Sequence, residues 1–147
     1  MKTTLKDIKS LIKDKLESIV DDNEKSIFGD IFDYSNGEFK NYPVAVILNT
    51  GVSGEELDTG RNQRIFHFVI NLYQEQSSVG RSSKDADDVM TNVSDKIIEA
   101  FDKDPDLGGE VINVRVIEAT FDFIATAGSF NFATFKIDCT VVVNNYL

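Results

Sequence analysis

Several residue types that build crosslinks, metal sites or membrane spans are scarce in this chain of 147 residues. Its one cysteine, Cys139, cannot form a disulfide within the chain. Its one histidine, His67, excludes a metal site built on paired histidines. No apolar run is long enough to span a bilayer, and residues 1–20 are amphipathic and charged rather than a signal sequence. We therefore expect a protein that is made in the cytosol and has no membrane partner.

Basic residues are also few. The chain has 15 Lys and Arg against 25 Asp and Glu, which gives a net charge of −10. A protein that grips nucleic acid by neutralising phosphates needs the opposite balance. An acidic surface instead repels DNA, which is useful where DNA must slide past without specific binding.

No residue pattern in the chain predicts catalysis, a cofactor or a metal. His67 lies in the middle of a strand pattern, where a packed or interface histidine is typical, and a general-base role would rest on it alone. Cys139 lies among apolar residues and is expected to behave as a small buried hydrophobe. Asp102, Asp104 and Asp106 resemble the start of a calcium loop, but the glycine and the glutamate that such a loop requires later are missing. We predict a protein that is not an enzyme.

The composition is that of an ordinary globular domain. Hydrophobic residues make up 41% of the chain and charged residues 27%. A chain of this length buries roughly 70% of its extended surface on folding, which is enough for one core. We predict a single domain over residues 1–147.

The longest strand pattern runs from Arg61 to Glu75, and both of its faces carry apolar side chains. One face holds Arg64, Phe66, Phe68, Ile70 and Leu72, and the other holds Ile65, His67, Val69, Asn71 and Tyr73. A strand with one face exposed to solvent would carry polar side chains along that face. We interpret it as a central strand with a helix on one face and either a second helix or a partner subunit on the other.

Two helices are predicted from apolar residues at helical spacing. The first starts near Leu5, with Thr3 or Thr4 as its cap, and the second starts at Ser82 or Ser83 and reaches Phe101. Between them, residues 44–48 are a buried strand by composition, and residues 49–60 and 74–83 are predicted as polar loops.

The last forty residues predict one long hairpin with its turn at Ala127-Gly128. Pairing outward from that turn couples Phe123 with Phe132 and Val116 with Cys139, and it gives the base of the hairpin one apolar face. The aromatic residues near the tip fall on the opposite face unless a bulge near Glu118 intervenes; they are Phe121, Phe123, Phe130 and Phe132. Either the hairpin bends back over its own core, or it offers these rings to a partner. The predicted fold class is α+β, with one mixed or antiparallel sheet, two main helices packed on it and a long C-terminal hairpin.

The chain resembles the tail terminator, or tail completion, proteins of long-tailed bacteriophages. The resemblance lies in the segments YPVAVI (42–47) and NQRIFHFVINLYQE (62–75) and in the acidic helix that ends Ile97-Ile98-x-x-Phe101 before a Leu107-Gly turn. It covers nearly the whole chain, as a pattern of residue types without a diagnostic motif.

The resemblance implies a structural virion protein in the phage tail. Members of that family form homohexameric rings that cap the tail tube, end its polymerisation and join the tail to the head–neck complex. The implied partners are copies of the chain, the tail tube protein and a head–tail connector, with DNA passing through the ring. Another neck, head–tail joining or tail tube protein is the nearest alternative, and a small-ligand-binding α+β module is the alternative from a different class.

The expected interface residues lie in the predicted loops and at the hairpin tip. Arg61, Arg64 and Arg81 flank the loops and could pair with acids of a neighbouring subunit, and Glu55 and Glu56 are candidate acids. The four phenylalanines of the hairpin tip are the apolar candidates. An enzyme that uses His67 with the acids of residues 55–56 has the least support.

Overall fold

A computed structural model describes residues 3–35, 38–58, 60–75, 83–124 and 130–144, with the backbone alone at 83, 84, 123, 124 and 144. The elements in chain order are α1 (Leu5–Glu17), β1 (Asp30–Phe32), β2 (Val44–Asp58), β3 (Arg61–Glu75), α2 (Ser83–Asp102), β4 (Asn113–Ile124) and β5 (Phe130–Asn144). The strands form one sheet in the order β1-β2-β3-β5-β4. Only β1 and β2 are parallel, so the sheet is mixed. The predicted α+β class is confirmed.

Helix α1 begins where its sequence predicts. The hydroxyl of Thr4 accepts the backbone N–H of Asp7 at 3.2 Å, which satisfies one of the free donors of the first turn. Along the helix, Ile8, Ile12 and Leu16 are fully buried, at the spacing of an amphipathic helix.

Helix α2 is tied to α1 at its C-terminal end by Asp104. The carboxylate of Asp104 accepts the backbone N–H of Gly108 at 2.8 Å and the ammonium of Lys15 at 3.0 Å. The Gly108 N–H, and after it the Lys15 side chain, lower the pKa of Asp104. Leu107, Gly108 and Gly109 have positive φ angles of 48°, 70° and 87°, which turn the chain from α2 toward β4.

Both helices contribute to one core on one face of β3. Phe66, Phe68, Ile70 and Leu72 of that face join Ile97 of α2, as well as the buried residues of α1, in this core. The expectation of a second helix on the other face of β3 is therefore wrong for the part of the chain that the structure describes. We call the face that the helices leave uncovered the outer face.

The segment predicted as a polar loop at residues 49–60 is instead the second half of β2. It pairs with β3 from Asn49↔Phe68 to Asp58↔Arg61, with register shifts between Asn49 and Gly51 and between Glu56 and Asp58. The glycines and polar residues of this segment are typical of a loop, which is why the sequence predicts one here. They fit a strand here because both faces of this segment are open to water, so no apolar alternation is needed.

The C-terminal strands pair as predicted, but in a different register. Val116 lies opposite Ile137 rather than Cys139, a shift of two residues at the base, and Phe123 lies opposite Asn131 rather than Phe132, a shift of one at the tip. A bulge between Val116 and Glu118 accounts for the difference between the two shifts. The predicted turn at Ala127-Gly128 lies outside the described residues.

Candidate functional site

At the Tyr73 end of β3, other aromatic rings of the chain cover the outer face. There the side chain of Tyr73 lies 4.8 Å from Phe39 and 5.0 Å from Phe132, centroid to centroid, and Tyr42 lies 5.9 Å from Phe130. We call this group the aromatic cluster; its members are Phe32, Tyr34, Phe39, Tyr42, Tyr73, Phe130 and Phe132. Val44, which pairs with Tyr73 in the sheet, is fully buried, and burial raises the pKa of Tyr73.

The opposite end of β3 belongs to an arm whose β2 half is exposed along its whole length. We call residues 51–58 of β2 and 61–65 of β3 the arm. Every residue from Gly51 to Asp58 is exposed, including two large apolar side chains, Val52 at 51% and Leu57 at 43%. Beyond Val46, β2 pairs with β3 alone among the described strands, so its other edge stays open.

Four of the expected interface residues come together on this arm. Arg64 lies opposite Gly54, and its side chain crosses so close that a methyl group at Gly54 would lie 2.5 Å from Nη1. The neighbouring pairs are Glu55↔Gln63 and Glu56↔Asn62. Arg61 donates from Nε to Asp58 at 2.8 Å, an ion pair within the arm rather than between subunits. The Gly60 backbone N–H, and after it Arg61, lower the pKa of Asp58.

The expected aromatic interface residues lie at the other end of the sheet, and the bulge divides them between its faces. Phe130 and Phe132 are on the outer face, within the aromatic cluster. Phe121 lies opposite the buried Ala133 and is therefore on the helix side, where its ring meets Phe135 edge-on at 6.4 Å and stays 60% exposed. Phe121 and Phe130 were expected to share a face unless a bulge near Glu118 intervened; that bulge is present and reverses the alternation of β4, so they lie on opposite faces. The side chain of Phe123, and Arg81, lie outside the described residues.

A hydrogen-bonded group of three polar side chains lies on the outer face between these two ends. His67 of β3 contacts Asp138 of β5 through Nδ1 at 2.6 Å and Ser53 of β2 through Nε2 at 3.0 Å. We call Ser53, His67 and Asp138 the polar triad. The side chains of His67 and Asp138 are 35% and 23% exposed, and Ser53 is exposed.

No family model matches the chain, and no curated protein matches it either. We therefore infer the function of the chain from the surfaces that its fold exposes.

Sequence reasoning missed the polar triad because two of its members could not be placed. Ser53 fell in the segment that was predicted to be a loop. Asp138 is 71 residues from His67, and no sequence pattern paired β5 with β3. Glu55 and Glu56 are the acids that the enzyme alternative pairs with His67. In the sheet they instead lie opposite Gln63 and Asn62.

An open cavity of about 390 Å³ adjoins the polar triad. Its lining residues are Thr50, His67, Phe68, Val69, Ile117, Lys136 and Asp138. The Lys136 ammonium pairs with Glu118 Oε2 at 3.1 Å and is 57% exposed. The lining residues therefore include apolar side chains, a hydroxyl, an imidazole, a carboxylate and an ammonium.

Cys139 is the buried hydrophobe that its sequence context predicts. It is fully buried in the core, and burial raises the pKa of its thiol to about 12. Its thiolate is therefore scarce at neutral pH, which leaves this residue a packing role.

Proposed function

We propose that the chain is a structural assembly protein, a ring-forming tail terminator of a long-tailed phage. The observation that carries the proposal is the arm, an extended pair of strands with an open edge and exposed apolar side chains. An open edge presents unpaired N–H and C=O groups that another chain can pair with. Fixing such a segment costs conformational entropy, and a single copy buries little apolar area in doing so. A neighbour that covers the segment would bury that area and offset the cost.

The chemistry of the arm suits a contact between copies of the chain. Val52 and Leu57 supply exposed apolar area, while Glu55, Glu56 and Arg64 supply charges of both signs on the same segment. A head-to-tail contact buries one surface against a different surface of the next copy, and it forms a ring when the rotation between copies closes and an open filament when it does not. In this proposal the arm contacts the next subunit, and charges of both signs set its register.

The exposed aromatic side chains and the net charge suit the other proposed partners, which are the tail tube protein, the head–tail connector and DNA. Phe121 and Tyr34, exposed at 60% and 56%, offer apolar contacts to a tail tube protein or a head–tail connector. The net charge of −10 disfavours tight DNA binding, so DNA would pass through the ring without being held. The proposed location is the tail of the virion, after synthesis in the host cytoplasm. The role needs no catalytic step, cofactor or metal.

No described helix is both long enough and apolar enough to cross a membrane.

Electron microscopy of phage particles provides the functional test. Particles assembled without the protein should carry tails of uncontrolled length that fail to join heads, and adding purified protein should restore tails of one length. Unchanged tails in its absence would contradict the proposal, and so would tight binding of duplex DNA at moderate salt. Defective heads with normal free tails would favour the alternative of a different neck or head–tail joining component.

A small-ligand-binding module remains the second candidate, and the cavity beside His67 is the observation that favours it. Its walls combine apolar side chains with a few polar groups, as ligand sites do. A metabolite that binds there would raise the melting temperature in proportion to the logarithm of its concentration. A thermal-shift screen that finds no stabilising compound would count against this candidate.

A further inference from the structure

We propose that the polar triad is a nucleophilic centre in which Ser53 accepts an acyl group from small activated esters. Ser53 lies on the arm, so a neighbour that covers the arm in a ring would also cover Ser53, and this chemistry belongs to the unassembled chain. It rests on the hydrogen bonds of His67 and on the cavity beside them.

The two contacts of His67 assign its tautomer. An ionised carboxylate can only accept hydrogen bonds, so the Asp138 contact requires a proton on Nδ1. A neutral imidazole then keeps a lone pair on Nε2, and the Ser53 hydroxyl donates its proton toward that lone pair at 3.0 Å. This is the arrangement in which a histidine can act as general base for a serine, with a carboxylate orienting the ring.

The sheet holds the three side chains in register. His67 and Asp138 are direct cross-strand partners on β3 and β5. Ser53 lies two residues from Gly51, the partner of His67 on β2, and therefore points to the same face. Groups fixed on three adjacent strands keep their geometry better than groups on loops.

The cavity beside His67 gives a small ester a place to bind. Val69 and Ile117 provide apolar contact for an acyl chain. Thr50 and Lys136 line the same cavity, and Ser53 is linked to it through its hydrogen bond with His67.

The reaction balances with water as the second reactant. Ser53 Oγ attacks the ester carbonyl carbon and transfers its proton to His67 Nε2. The bond from that carbon to the leaving oxygen breaks, and the leaving oxygen takes the proton from Nε2, so an alcohol departs and an acyl group remains on Ser53. Water then attacks the acyl carbon and gives a proton to Nε2, and Ser53 leaves with that proton as the acid is released.

The test measures covalent modification of the full chain with a fluorophosphonate and turnover of p-nitrophenyl acetate. We expect one adduct per chain, mapped to Ser53 by peptide mass spectrometry, and none on Ser53→Ala. Ser10→Ala, at an exposed serine on α1, is the matched control and should label at the wild-type rate. His67→Ala should label at least tenfold more slowly, and added imidazole should restore part of that rate.

Asp138 acts through His67 and is a positioning residue, so its test needs a readout beyond loss of rate. Asp138→Asn should keep the wild-type circular dichroism spectrum and melting temperature within a few degrees, label at least tenfold more slowly and change the dependence of the labelling rate on pH. Labelling that is equally fast in Ser53→Ala or in a folded His67→Ala would overturn the proposal. Absence of any adduct on the folded, unassembled wild-type chain would do the same.

Discussion

The two ends of β3 are built differently. At the Tyr73 end the strand has the helical core on one face and the aromatic cluster on the other. At the Arg61 end it belongs to the arm, where its partner segment of β2 is exposed along its whole length. Strand β3 has 15 residues and is roughly 50 Å long at about 3.3 Å per residue. It therefore runs from a region that is covered on both faces to a region where its partner segment of β2 is exposed.

The difference separates what folds the chain from what it offers to a partner. Apolar area removed from water contributes roughly 25 cal/mol per Å², so the helix-covered end supplies most of the stability. The arm removes little apolar area from water, because Val52 and Leu57 keep about half of their surface. Substitutions at the helix-covered end should therefore change the free energy of unfolding, and substitutions on the arm should change assembly.

The largest effect is expected at Phe68, which is 1% exposed beneath the helices. Phe68→Ala should lower the free energy of unfolding by about 3–5 kcal/mol, because it removes buried area and leaves a cavity. Urea unfolding followed by circular dichroism measures this. Phe121→Ala, at an exposed ring of the same type, should cost less than about 1 kcal/mol. Equal losses at the two positions would show that the core is not where the structure places it.

A smaller effect is expected within the aromatic cluster. The rings of Tyr73 and Phe132 are 5.0 Å apart and tilted by 41°, so they should stabilise each other beyond their separate burial. A double-mutant cycle with Tyr73→Leu and Phe132→Leu should give a coupling free energy of about 1 kcal/mol. The pair Tyr73→Leu and Phe121→Leu, on opposite faces of the sheet, should be additive within about 0.5 kcal/mol. A cycle in which Tyr73 and Phe132 are also additive would mean that the cluster does not cover this end.

A still smaller and pH-dependent effect is expected at Asp104. Its pKa is lowered from the ordinary value of 3.8, so its contribution to stability is complete above that pH and is lost as the pH falls through the lower value of the folded state. Asp104→Asn should cost about 1 kcal/mol at pH 7, and the cost should shrink as the pH falls below 3.8. Urea unfolding from pH 7 to pH 3 measures it. Asp106→Asn, on the same turn, is the control; a loss at Asp104 that does not vary with pH would contradict this assignment.

The parts of the fold that sequence could predict are those that a buried face specifies. The cap of α1 follows from Thr4, and the apolar stripes of the helices, the strand at residues 44–48 and the central strand follow from the period of their apolar residues. The second half of β2 could not be predicted this way, because a strand exposed on both faces has no apolar period. The register of β4 and β5 depended on a bulge beside Glu118, and one extra residue there changed which face Phe121 occupies.

The candidate sites were predictable to different degrees for the same reason. Glu55, Glu56, Arg61 and Arg64 stood out by charge, although their shared position on the arm needed the pairing of β2 with β3. The link from His67 to Asp138 depends on β3 pairing with β5, a contact between segments far apart in the chain. No local pattern encodes such a contact.

The measurement that tests the central claim most directly is the mass in solution, by light scattering, of arm variants and their control. Val52→Asp with Leu57→Asp on the arm should leave the free energy of unfolding within about 0.5 kcal/mol. Val20→Asp is the control, because Val20 is a similarly exposed apolar residue away from the arm. We expect the wild type and the control to form a ring of six 16.4 kDa chains, about 98 kDa, either alone in solution or on tail tubes. We expect the arm variant to stay a monomer both in solution and with tail tubes. An arm variant that assembles as well as the control, or a wild type that stays monomeric even on tail tubes, would contradict the claim.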